Sequence, residues 1–191
     1  PSAEAGGAGA AEGASAAASA SSGEGGAEAA LSSGGAVPEE VVLAAGLGDE
    51  EAVLAWVDGG GRVDATLVPV SSDSLSLSGV TPLMLAMMRG REGLAETLLQ
   101  RGADVSLQSS DGATALSNAA ANGHEKLVEL ALQHGAAVDQ QSNTGDTALI
   151  RAAFNGHPAA LRCLLRAGAD VTVCNTRGKT ALHYAKEQGR A

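Results

Sequence analysis

The chain has 191 residues and a formal net charge of −10, with 22 acidic against 12 basic side chains. That sign opposes nonspecific attraction to nucleic acid or an anionic membrane surface, and the sequence offers no apolar run near the roughly 20 residues of a membrane-crossing helix. Aromatic residues make up 2% of the chain, one Trp, one Tyr and one Phe, so a core built around packed rings is also excluded.

Residues 1–36 contain only Ala, Gly, Ser, Glu, Leu and Pro. Such a segment buries too little apolar area to offset its ordering entropy, and the reading is a disordered tail over 1–37. It lacks Lys and Arg and carries Glu4, Glu12, Glu24 and Glu28, which does not fit a targeting peptide. Order is expected from Pro38, where Pro38-Glu39-Glu40 sets a helical φ and places two carboxylates at the positive end of a helix dipole. Val41 to Asp64 then aligns with a later stretch when shifted by 42: Leu43-Ala44 with Leu85-Ala86, Gly48 with Gly90, and Gly60 with Gly102. The connection over 65–78 is rich in Ser and reads as an exposed loop.

From Gly79 onward the chain repeats itself. Gly79, Gly112, Gly145 and Gly178 lie 33 residues apart, and each precedes a Thr by two positions: Thr81, Thr114, Thr147 and Thr180. Gly90, Gly123 and Gly156 keep the same period, as do Gly102, Gly135 and Gly168. Within the unit from Asp111 to Asp139, the Thr114 hydroxyl can cap a helix that runs through Leu116, Ala119 and Ala120 to Gly123. A second helix with Leu127, Val128, Leu130 and Leu132 as its apolar stripe closes at Gly135, and turn formers lead on to the next unit. Helices this short are marginal alone, so the core must run along the array.

These motifs, a Gly-x-Thr start with Pro82 and Leu83, Gly-His at 123–124 and 156–157, and Leu-Leu-x-x-Gly-Ala-Asp-Val at 164–171 without its Leu-x spacing broken, resemble the ankyrin repeat, whose period is 33. The resemblance implies an all-α fold, an α-solenoid of helix-turn-helix repeats with hairpin-like loops over 38–191. The repeats fall at about 38–64 (degenerate), 79–111, 112–144, 145–177 and 178–191 (truncated). Departures occur at Ala115, Ala148 and Ala181, which replace the turn proline, and at Ala131, where a leucine is usual.

The remaining chemistry is sparse. Val41 to Gly48 imitates a strand entering a dinucleotide-binding turn, but the third glycine would be Glu51, whose charge opposes pyrophosphate. His124 and His157 sit in successive units about 8–10 Å apart by helix spacing, too far to share one zinc. His183 pairs with Thr180, and Ser117 takes the place of His183 in its own unit. No nucleophile, base and orienter converge. The expectation is therefore no catalysis, no cofactor and no metal. Cys163 and Cys174 show no disulfide or zinc spacing and fit a reducing setting, cytoplasmic or nuclear.

What the resemblance implies instead is a noncatalytic surface for a protein partner, on the concave side made by loop tips and the ends of the first helices, with the isolated domain monomeric. Carried over by register, the positions are Val80, Met88, Arg89, Asp111, Ala113, Ala121, Asn122, Thr144, Asp146, Phe154, Asn155, Arg177 and Lys179, followed by Glu187 and Gln188. Phe154 stands out, since a ring at a position held by Met88 and Ala121 elsewhere is either a binding anchor or a cover for the neighbouring helix. An alternative reading makes the chain a regulatory or targeting segment of a larger enzyme or signalling protein.

Overall fold

The computed structural model describes residues 36–67 and 78–189. Most of the tail expected over 1–37, and the greater part of the loop expected over 65–78, lie outside the described residues. The flanks differ from that expectation. Ala36–Val37 (β1) and Thr66–Leu67 (β2) form a parallel pair, with Ala36 opposite Thr66 and Val37 opposite Leu67. Val37 is buried in the core, and burial of this one side chain is what a two-residue segment without periodicity conceals in the sequence.

Between the strands lie α1 (Glu39–Leu47) and α2 (Glu50–Asp58). The pairs α3 (Pro82–Arg89) and α4 (Glu92–Gln100), α5 (Ala115–Ala121) and α6 (Glu125–Gln133), and α7 (Ala148–Asn155) and α8 (Pro158–Arg166) follow, then α9 (Ala181–Glu187). Helix α1 covers Val41 to Leu47, which removes the strand that a dinucleotide fold would need there.

Each start is set by its own residues. The hydroxyls of Thr81, Thr114 and Thr147 accept from the backbone N–H of Met84, Ser117 and Ile150 at 3.3, 3.1 and 3.3 Å. At α9 the backbone N–H of Thr180 donates to His183 Nδ1 at 3.1 Å instead. Gly48, Gly90 and Gly156 end their helices in the left-handed region, where a Cβ would be strained.

The helices form two rows. Inner helices α1, α3, α5, α7 and α9 pack in succession, while α4, α6 and α8 pack behind them. Alanines at 119, 120, 152 and 153 are fully buried and let the inner backbones approach closely. The outer helices bring Leu94, Leu98, Leu127 and Leu164 into the space between the rows, each contributing about 1.5–3 kcal/mol of burial. In α6 the buried stripe is Leu127, Val128 and Ala131, with Leu130 and Leu132 half-buried.

The connections project as fingers. Within one finger Ser142 N–H donates to Asp146 O, and the same bond recurs from Ser109 to Ala113 and from Asn175 to Lys179. Between fingers, Ser110 N–H donates to Ser78 O, Asn143 N–H to Asp111 O, and Thr176 N–H to Thr144 O, at 2.9–3.0 Å. Gln108 and Gln141 reinforce this ladder, each amide reaching both its own finger and the next.

Candidate functional site: a groove between fingers and inner helices

The inner row and the fingers bound a groove of about 420 Å³ at the C-terminal half of the array. Its walls carry Asp111, Ser142, Thr144 and Asp146 on the finger side and Ile150, Arg151, Phe154 and Asn155 on α7. Asn175, Thr176, Arg177 and Tyr184 close it. Phe154 remains 53% exposed although its ring meets Tyr184 edge to face, with centroids 5.3 Å apart. The ring thus covers part of the next inner helix and leaves an apolar edge exposed. Lys179 Nζ lies 5.2 Å from the centre of the Tyr184 ring and pairs with Glu187.

Of the fifteen residues placed on the concave side by register, Asp111, Thr144, Asp146, Phe154, Asn155 and Arg177 line this groove, and Glu187 and Gln188 are exposed at the end of the last inner helix. Arg89 and Asn122 are exposed farther along the same row, and Met88 and Lys179 are half-buried. Val80, Ala113 and Ala121 are buried, so their side chains offer almost no surface. Ile150, Arg151, Asn175 and Tyr184 were not singled out from the sequence. The signal for two of them was present: the 33-residue register stacks Leu85, Asn118, Arg151 and Tyr184 on one line of the inner helices.

Polar groups hold the groove in shape. Asp111 accepts from the Ser109 hydroxyl and from the Ala113 N–H, and Asp146 accepts from Thr144 Oγ1 at 2.9 Å and Asn175 Nδ2 at 2.8 Å. Asn175 also donates to the Tyr184 hydroxyl at 3.1 Å, tying a finger to α9. The carbonyls left over at the ends of the inner helices are taken by the following unit. Arg91 Nη2 donates to Leu47 O, Asn155 Nδ2 to Ala121 O and Gln188 Nε2 to Phe154 O, at 2.7–2.9 Å. His124 Nε2 lies 3.3 Å from Met88 O in the equivalent place. Glycine is required there twice over: a Cβ on Gly123 would stand 2.5 Å from His157 Nδ1, besides the positive φ.

The convex side holds a second cluster. Cys163 Sγ on α8 donates to Glu129 Oε1 at 3.5 Å and Glu125 Oε1 at 3.6 Å on α6. Burial, then these two carboxylates, push the thiol up to about 11. The three residues offer ligand atoms within 4.8 Å of one another. Linear spacing did not bring these partners to Cys163, because the stacking of α6 on α8 does. Ser117 is a buried helix cap, its Oγ accepting the Thr114 N–H at 2.9 Å.

A family model described as ankyrin repeats, in three copies, matches residues 83–174 and 116–191. Together these spans cover more than half of the chain, and it belongs to the ankyrin-repeat family. Ankyrin repeats generally mediate protein–protein interaction and their domains are generally noncatalytic. A search of curated proteins finds no match. No helix among the described residues is long and apolar enough to cross a membrane.

Proposed function

We propose that this chain is a noncatalytic docking module whose concave surface receives a partner protein. The observation that supports the reading is the groove itself: an exposed phenylalanine edge set among hydrogen-bonded polar groups, between the fingers and the inner helices. Rigid aromatic anchors in a shaped depression are the feature from which interface affinity usually derives. The free thiols of Cys163 and Cys174 fit an intracellular partner.

The test is affinity capture from cell extract with the full chain and with Phe154→Ala, Arg177→Ala together, followed by titration of the purified partner. Loss of a saturable partner, with the circular dichroism and melting point retained, supports the concave face. Equal capture by both chains sinks it.

A further inference from the structure

Resting on that reading, we propose that the groove recognises an acidic peptide segment, with a carboxylate held by Arg151 and Arg177 and a neighbouring apolar side chain set on Phe154. The argument starts from the two guanidiniums. Arg151 is half-buried on α7, where its register partners Leu85, Asn118 and Tyr184 are all buried in the array. Arg177 stands on the facing finger. Neither side chain makes a hydrogen bond or ion pair among the described residues, whereas Arg91 donates to Leu47 O and Arg101 pairs with Asp58. A guanidinium carries five donors in a planar fork, and those of half-buried Arg151 and exposed Arg177 meet no protein acceptor among the described residues, which leaves them open to a ligand.

The other charges of the site are already committed. Asp111 and Asp146 serve as acceptors for their own fingers, and Lys179 is neutralised by Glu187. The hydrogen-bonding capacity left unused in the groove is therefore the forked donors of the two guanidiniums, which match a carboxylate. Asp111 and Asp146 on the same walls oppose any anion, and a phosphate dianion more than a single carboxylate. Phe154 and Ile150 supply the adjoining apolar contact, so acid and apolar side chain must lie close in the bound segment. The chain's net charge of −10 repels such a ligand at long range, and screening over about 8 Å at physiological salt leaves the local arginines to decide. Binding should then depend steeply on the pair.

The experiment selects a randomised dodecapeptide phage library on the full chain and measures the enriched peptides by fluorescence anisotropy. The expected result is enrichment of Asp or Glu beside Leu, Ile or Phe. Arg151→Gln and Arg177→Gln should each weaken these peptides about tenfold or more, since a lost charge-assisted bond of this kind is worth that factor. Arg151→Lys should recover part of the loss, and circular dichroism checks that each variant folds. Enrichment of basic or uncharged sequences overturns the proposal, as does indifference of acidic peptides to both arginine variants. Tighter binding of a phosphoserine version than of the glutamate peptide overturns it too. If binding responds to Phe154→Ala but not to the arginines, the acidic ligand is wrong and the concave docking surface stands. Enriched peptides that ignore all three substitutions remove both.

Discussion

Gly112 and the backbone of Asn143 in the next finger stand so close that a Cβ on the glycine would lie 2.6 Å from the Asn143 nitrogen. Asn143 N–H is itself held by Asp111 O at 3.0 Å, so the finger cannot retreat without breaking the ladder.

Gly112→Ala should therefore cost more than its φ of 79° requires. Gly135 has a φ of 85° with nothing within 4 Å of an added Cβ, and Gly135→Ala isolates the left-handed penalty of roughly 1–2 kcal/mol. Gly112→Ala should lose about 1 kcal/mol more, the scale of overpacking. Urea unfolding of both variants decides, and equal midpoint shifts would refute the contact.

Thr114 and Ser117 cap α5 reciprocally, and the cap is buried. Ser117→Ala leaves the Thr114 N–H without its acceptor, and a loss of about 1–2 kcal/mol is expected. A melting temperature unchanged by Ser117→Ala would show that α5 is set by stacking on α3 and α7 instead.

The Cys163 thiol is neutral in the folded chain until about pH 11, against an ordinary value of 9.0. Because the folded value is the higher one, the stability it contributes is fully present below pH 9.0 and is lost as pH rises through about 11. Iodoacetamide at pH 8, a reagent specific for the thiolate, should label exposed Cys174 well before Cys163, read by peptide mass spectrometry. Glu129→Gln should bring the Cys163 titration down. Equal labelling rates for the two cysteines in the folded protein would contradict the assignment.

Much of this architecture was written in the glycine and threonine spacing. A period of 33 carries the helix starts, the left-handed ends and the order of packing, because every unit meets the same neighbour in the same way. The groove was half legible. Phe154 could be singled out by its contrast with Met88 and Ala121, whereas the depth at Ala113 and Ala121 depends on how far adjacent backbones approach. Arg151 escaped notice because the concave positions were taken from the ends of the inner helices, and its row runs one turn earlier. The Cys163 cluster and the pairing of Val37 with Leu67 involve residues distant in the chain with no periodic signature, so packing had to reveal them.

The ladder also has a direction. Ser110, Asn143 and Thr176 give their N–H to the preceding finger, and Arg91, Asn155 and Gln188 give theirs to the preceding inner helix, while the amides of Gln108 and Gln141 reach the other way. During synthesis from the N-terminus, each emerging unit brings donors to acceptors already in place. Loss of the last unit takes Gln188 from Phe154 O and Lys179 O from the Asn175 N–H, whereas loss of the first takes Leu47 O from Arg91 and the Asp64 carboxylate from the Asp104 N–H. The array consequently has a sense of assembly, since most of these contacts run from a later donor to an earlier acceptor.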